Sequence, residues 1–211
     1  MIQINKDLYQ YCVDHSEPIS ELLQDIERTT YLQTILPQML SGPLQGRLLA
    51  MICHLIQPSY ILELGTFTGY ATLCMAEGLA PDGKIISVDH NEEILYQAQK
   101  NIDKSKYKDR IELHHGDAKK IIPFLDMTFD FIFIDASKRD YSIYFDLLID
   151  KLRKGGLILA DNILWSEKVI AKKRDSMTME LDAFNKKVLH DDRVENFILP
   201  FRDGINMIRK K

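Results

Sequence analysis

Apolar residues in the first quarter of the chain recur with the spacing of helices. In residues 18–35 the spacing is near 3.6, with apolar side chains at Ile19, Leu22, Leu23, Ile26 and Leu32. In residues 41–58 a second stripe consists of Leu44, Leu48, Leu49, Ile52, Leu55 and Ile56. Pro43 suits a first helical turn and Pro58 ends the pattern. We therefore predict helices in the first 40 residues and one amphipathic helix after them.

From residue 60 onward, short apolar runs alternate with helix-like stretches. The runs are YILELG, KIISVD, RIELHHGD, FDFIFID and GLILADN, and the last helix-like stretch between them is YSIYFDLLIDKLRK. This alternation predicts right-handed crossovers and a parallel sheet covered on both faces. The tail VENFILPFRDGINMIRKK has two runs around Asp203-Gly204, which predicts an antiparallel hairpin at one edge. The expected fold is a Rossmann-like, doubly wound α/β fold with a seven-stranded, mainly parallel sheet, a C-terminal hairpin and N-terminal helices.

Length and composition predict one soluble domain. The 211 residues are 45% hydrophobic and 27% charged, which fits a single domain with a helical cap at 1–40 and the core at 58–211. The net charge of −4 provides no global basic field for nucleic acid or anionic membrane. Cys12, Cys53 and Cys74 are few and widely spaced, which favours reduced thiols and a cytoplasmic location. We see no signal-peptide pattern and no uninterrupted apolar run near the ~20 residues that span a bilayer.

Ligands of such sheets bind beyond the carboxyl ends of the strands, so the residues there are the candidates for a site. The first strand leads into LELGTFTGY, in which glycines let the backbone approach a ligand closely; a simple tight turn is the alternative. The pattern is G-x-x-x-G after an acid, not the dinucleotide fingerprint. Asp89 ends the second strand and is well placed to accept hydrogen bonds from ribose hydroxyls; the alternative is a cap of the next helix, for which Asn91 is the better candidate. Asp117 is expected either to accept a hydrogen bond from an adenine amine or to cap a helix.

Acidic residues also close the fourth and fifth apolar runs, at Asp135 and at Asp161-Asn162. Two carboxylates and an amide oxygen are hard donors that suit Mg²⁺, although each acid alone could cap a helix. Zinc is not expected, because His114 and His115 are adjacent on a strand and point to opposite faces.

Taken together, these motifs resemble those of the metal-dependent class I O-methyltransferases, above all the caffeoyl-CoA type and its small bacterial homologues. The motifs that carry the resemblance are ILELGTFTGY, VDHNEE, GDA, FIDASKRDY and LADNILW. The resemblance implies S-adenosylmethionine as the methyl donor and Mg²⁺, or another divalent cation such as Mn²⁺ or Ca²⁺. It implies a cofactor site of Met39, Ser41, Glu63, Gly65, Thr66, Tyr70, Ala71, Asp89, Asp117, Ala118 and Asp135. The implied metal ligands are Asp135, Asp161 and Asn162, and the implied catalytic residues are Lys138 and Asp135.

Two side chains near these ligands have alternative interpretations. Lys138 is expected to accept the proton of the methyl acceptor, which requires its pKa to fall; the alternative is an exposed lysine paired with Asp140. Trp165 is either a wall of the acceptor pocket or a packed aromatic residue. Where the family often has a serine, this chain has Ala71, so one cofactor hydrogen bond is expected to be missing.

The expected function is metal-dependent methyl transfer to a hydroxyl of a catechol-like or other phenolic small molecule. Two alternatives remain: a tRNA methyltransferase acting on hydroxylated wobble uridine, with KSKYKDR and AKKRD as basic patches, and a non-catalytic nucleotide-binding domain. The resemblance also implies a homodimer, for which the N-terminal helices and residues 166–190 are spare amphipathic surface.

Overall fold

The structure is a computed structural model that describes residues 5–211. The α-helices are α1 (Lys6–Asp14), α2 (Glu21–Gln33), α3 (Gly42–Ile56), α4 (Tyr70–Ala76), α5 (Glu92–Asp103), α6 (Ala118–Ile121), α7 (Tyr141–Leu148) and α8 (Ser176–Leu189). The strands are β1 (Tyr60–Leu64), β2 (Lys84–Asp89), β3 (Ile111–His115), β4 (Phe129–Ile134), β5 (Leu152–Asp161), β6 (Val194–Leu199) and β7 (Ile205–Lys210). The predicted seven-stranded, mainly parallel sheet with a C-terminal antiparallel hairpin is confirmed. The described chain divides into two compact units, Asn5–Asp117 and Ala118–Lys211, called here the first and second units.

The first unit contains three parallel strands in the order β3-β2-β1. Ile61, Leu62 and Leu64 of β1 are fully buried. Strands of a parallel sheet are covered on both faces, which explains why β1 and β2 are buried at successive positions rather than at alternate ones.

The buried face of α3 differs from the predicted apolar stripe. Its buried residues are Gly42, Gln45, Gly46, Leu49, Ala50, Ile52 and Cys53, whereas Leu55 is 78% exposed. A Cβ atom at Gly46 would lie 2.8 Å from Cys74 Sγ and 3.0 Å from Tyr70 Cε1. The stripe prediction was therefore wrong in part, because close packing against α4 selects small residues that a count of apolar positions does not register.

The second unit contains four strands in the order β4-β5-β7-β6. β5 is parallel to β4 and antiparallel to β7, and β7 pairs with β6 in the predicted hairpin. The predicted helix through Lys154 is wrong at its C-terminal end, because α7 stops at Leu148 and Leu152 already pairs with Phe129 in the sheet.

One helical segment, Pro37–Ile56, is long and apolar enough to cross a membrane by length and composition alone. Core helices of globular domains meet the same criterion. Arg47 in this segment donates two hydrogen bonds to the Glu77 carboxylate, at 2.8 and 2.6 Å, and seven residues of α3 are buried. These contacts account for α3 as a helix packed within the first unit.

Candidate active site

The loop between β1 and α4, residues 65–69, has an unusual backbone in the first unit. Gly65 and Gly69 have φ values of 97° and 81°, and Phe67 has a φ of 48°. Gly69 lies in the left-handed region and packs against α5, where its missing side chain faces Ala98 and Ile102. The positive φ values at Gly65 and Gly69 favour glycine in this strand-to-helix turn, and the predicted close approach of a ligand to the backbone stays a prediction.

Asp89, the last residue of β2, holds this loop. Its Oδ2 accepts a hydrogen bond from the Phe67 backbone N–H at 3.0 Å, and its Oδ1 accepts one from the Asn91 N–H at 3.0 Å. A carboxylate has about four acceptor positions, so this one has capacity left for ribose hydroxyls. The predicted helix cap is confirmed at Asn91, whose side chain accepts hydrogen bonds from Glu93 and Ile94.

Glu63 lies in a buried network of hydroxyl groups. The Thr72 and Ser87 hydroxyls donate to its Oε2, and the Ser87 and Thr66 hydroxyls are 2.7 Å apart. The side chains of all four residues are buried. Sequence reasoning selected Glu63 and Thr66 but missed Ser87 and Thr72; the one available signal was a serine that interrupts the apolar run KIISVD.

A second pair of contacts, also missed, fixes the loop from two helices. Asn101 of α5 donates from Nδ2 to the Thr68 backbone oxygen at 2.9 Å, and Thr30 of α2 donates to the Thr68 hydroxyl at 3.0 Å. Thr30 and Asn101 are buried at positions where a helix normally places apolar residues. A polar residue at such a position was a usable signal for a buried contact, because buried polar groups are hydrogen-bonded.

The other predicted cofactor residues of the first unit differ in exposure. Met39 ends a short 3₁₀ turn, Pro37–Met39, and is half exposed, whereas Ser41 is buried at the start of α3. Tyr70 and Ala71 are buried in the first turn of α4. Asp117 is exposed at the end of the unit; the next residue, Ala118, begins the second unit and is buried in α6. Their contact with a cofactor stays a prediction.

In the second unit, the structure brings Lys138 onto one of the predicted metal ligands. Lys138 Nζ lies 2.6 Å from Asp135 Oδ1, and the side chains are only 11% and 22% exposed. Asp140 instead pairs with Lys119, at 2.9 Å. The alternative of an exposed lysine paired with Asp140 was therefore wrong, because the 3₁₀ turn Lys138–Asp140 directs the ammonium group back toward the end of β4.

The charges around Lys138 set the direction of its titration. Burial acts to lower the pKa of Lys138, but the negative charge of Asp135 opposes it, with further contributions from Tyr141 and Asp161. The net result is a raised pKa, so the amine is protonated near neutral pH. A divalent cation on the same carboxylates would oppose those charges, which is the condition under which the predicted fall in pKa could occur.

The predicted metal ligands are compatible with a hard divalent cation. Asp161 is 2% exposed, and its Oδ1 accepts a hydrogen bond from the Asn162 backbone N–H at 2.7 Å. Asn162 has a φ of 58°, a left-handed conformation that asparagine tolerates better than most residues. Residues 5–211 contain no group of three His, Cys, Asp or Glu side chains that could hold a metal. The candidate set is instead two carboxylates and one amide, and both acids act electrostatically on a single ammonium group.

Trp165 lies in a loop with three consecutive left-handed residues. Trp165, Ser166 and Glu167 have φ values of 49°, 52° and 64°, and the Ser166 N–H donates to Asp203 Oδ1 at 2.6 Å. Trp165 is only half-buried, with its ring 5.9 Å from Lys168 Nζ. It is therefore not a fully packed core residue, and its role beside an acceptor stays a prediction.

Comparison with known proteins gives the family of this chain. A sequence model of the O-methyltransferase family matches residues 13–211. The chain belongs to the O-methyltransferase family. A caffeoyl-CoA O-methyltransferase of Petunia hybrida is 33% identical over 225 residues, covering 96% of this chain and 90% of that protein. Two solved structures share the fold with TM-scores of 0.91. One is an O-methyltransferase from Bacillus cereus in complex with SAH (27% identity, covering 97% of each chain); the other is an SAH-bound methyltransferase from Podospora anserina (26% identity, covering 100% and 98%).

Membership in this family makes the chain an S-adenosylmethionine-dependent O-methyltransferase, as the resemblance implied, and excludes the non-catalytic alternative. The Rossmann-like fold is confirmed as well. The residues of the glycine loop and of the Asp135–Lys138 pair therefore lie in an O-methyltransferase fold at the strand ends from which they were predicted.

Proposed function

We propose that this O-methyltransferase transfers a methyl group to a hydroxyl of a catechol-like or other phenolic small molecule, with the help of a divalent cation. The observation that carries the proposal is the cluster at the ends of β4 and β5. Lys138 Nζ lies 2.6 Å from Asp135 Oδ1 there, and the buried Asp161 ends the neighbouring strand. The caffeoyl-CoA name of the Petunia hybrida relative also fits a phenolic acceptor.

In this proposal the first unit binds the methyl donor. The carboxylate of Asp89 accepts hydrogen bonds from ribose hydroxyls while it continues to hold the Phe67 N–H. Gly65 and Gly69 of this loop have no side chain, so a ligand would be able to approach the main chain closely there. S-adenosylmethionine would supply the methyl group, whose bond to sulfur breaks as the bond to the acceptor oxygen forms.

In the second unit, Asp135, Asp161 and Asn162 would hold the cation through oxygen atoms. Mg²⁺ favours such ligands, and Mn²⁺ or Ca²⁺ accept them too. When bound there, the cation would supply Lewis acidity that favours the ionised form of an acceptor hydroxyl. Lys138 Nζ then takes the hydroxyl proton, once its pKa has been lowered from the raised value that Asp135 imposes.

A methyl-transfer assay tests the proposal. The protein is incubated with labelled S-adenosylmethionine and Mg²⁺ and is offered a catechol panel or, separately, unmodified and hydroxylated tRNA. We expect transfer to catechols that EDTA abolishes and that Mg²⁺ restores. Methyl transfer to hydroxylated tRNA and to none of the catechols would contradict a phenolic acceptor and favour a wobble uridine. Methyl transfer that is unchanged in EDTA would contradict a role for the cation.

We also propose that the chain forms a homodimer through the first unit. The proposal is supported by large apolar side chains that are exposed in this unit, namely Leu32 at 73%, Ile35 at 97% and Leu55 at 78%. Light scattering should give twice the 24.5 kDa mass of the chain, and Ile35→Asp should reduce it. A single 24.5 kDa species at micromolar concentration would contradict this proposal.

The cytoplasmic location stays a prediction; it agrees with three cysteines that are all free thiols.

A further inference from the structure

Tyr141, the last residue of the motif IDASKRDY, connects the ends of two strands. It is fully buried at the start of α7. Its hydroxyl oxygen lies 3.1 Å from the backbone oxygen of Ile134 and 3.0 Å from that of Asp161. A phenol carries one hydrogen, so the hydroxyl donates to both carbonyls in a shared hydrogen bond or alternates between them.

These two carbonyls lie next to the proposed cation ligands in the chain. Ile134 immediately precedes Asp135, and Asp161 is itself a candidate ligand. The paired residues of β4 and β5 end with Ile134 and Ala160. The Tyr141 hydroxyl therefore joins the two strands at the place where their regular pairing stops and where the acidic side chains leave the sheet.

We propose that Tyr141 is a positioning residue whose hydroxyl sets the separation of the Asp135 and Asp161 carboxylates for a divalent cation. This inference rests on the cation site of the proposed function. Groups that orient metal ligands without touching the metal typically change metal affinity by about 10- to 100-fold when they are removed. Tyr141 fits such a role because it holds the main chain of one ligand and of the residue before the other.

Contacts of the aromatic ring make a clean test possible. The ring packs edge-on against Phe184, with centroids 5.4 Å apart, and Lys138 Nζ lies 5.2 Å from the ring centroid. Tyr141→Phe keeps these ring contacts and removes the hydroxyl, together with its hydrogen bonds to the two carbonyls and its interaction with Lys138. A matched control is Tyr144→Phe, because Tyr144 is one turn along α7 and is also buried.

The experiment measures Mn²⁺ affinity by electron paramagnetic resonance, below the Tm of each variant, without substrate. We expect Tyr141→Phe to raise the Kd about 10- to 100-fold, while Tyr144→Phe and the wild-type protein agree within twofold. The Tm in EDTA should fall for Tyr141→Phe, because buried carbonyls lose their donor.

Two results would overturn the inference in distinguishable ways. A folded Tyr141→Phe protein with a lower Tm but a wild-type Kd for Mn²⁺ would show a purely structural hydroxyl, and the cation site would stand. If the wild-type protein does not bind Mn²⁺, or if Asp135→Asn binds it as tightly as the wild-type protein does, both the proposed cation site and the positioning role of Tyr141 are refuted.

Discussion

Replacing Lys138 by methionine should reveal its electrostatic role without removing its length. The change deletes an ammonium group 2.6 Å from Asp135 Oδ1 and leaves Asp135 and the buried Asp161 without that charge. Breaking a fully buried pair costs about 3–5 kcal/mol, and exposed pairs contribute at most about 1 kcal/mol. Side chains that are 11% and 22% exposed lie between these limits. We therefore expect the free energy of unfolding in EDTA to fall by about 2 kcal/mol.

Urea unfolding in EDTA and in Mg²⁺ is the assay. Mg²⁺ should stabilise Lys138→Met more than the wild-type protein, because the cation replaces the missing positive charge and no ion pair has to be given up. Lys119→Met is the control: Lys119 is more exposed than Lys138, at 35% against 11%, so for its pair with Asp140 we expect a loss of about 0–1 kcal/mol that Mg²⁺ does not alter.

Activity provides the second measurement on Lys138→Met. Loss of a general base should lower kcat by about 10²- to 10⁴-fold. The loss should shrink for acceptors with acidic hydroxyls, such as a nitrocatechol, and at higher pH. Equal stability of the two proteins in EDTA, with an equal response to Mg²⁺, would refute the electrostatic reasoning. A higher KM with an unchanged kcat would show that Lys138 only positions the substrate.

Three further results are expected. Asp89→Ala should weaken S-adenosylmethionine binding by about 1–3 kcal/mol, measured by calorimetry, since ribose hydroxyls lose their acceptor. EDTA should not affect the binding of S-adenosylmethionine to the wild-type protein, and loss of all binding in EDTA would contradict this metal independence. Asp135→Ala should abolish EDTA-sensitive turnover in the labelled-methyl assay; undiminished turnover would remove Asp135 from the ligand set. A thiol reagent at pH 8 should label only Cys12 in the native protein and all three cysteines in urea, because Cys53 and Cys74 are buried and burial raises the pKa of Cys74 to about 12. Rapid native labelling at more than one thiol would contradict it.

The sequence by itself determined the sheet and the strand ends at which the candidate site residues lie. Apolar runs such as FDFIFID are strands because both faces of a parallel sheet are buried, and that requirement is local enough to be visible in the residue order. Asp89, Asp135 and Asp161 stand out for the same reason, since each ends such a run at the sheet edge where ligands bind.

Tertiary structure alone decided which side chains pair there. Asp135 and Asp140 are both within reach of Lys138 along the chain, and only the fold of the turn selects Asp135 and gives Asp140 to Lys119. The Tyr141 hydroxyl contacts residues 7 and 20 positions away, which no periodicity relates to it. Periodicity reports which face of an element is buried. Hydrogen bonds and ion pairs depend on distances of a few ångströms between segments far apart in sequence, and those distances are set only when the elements pack.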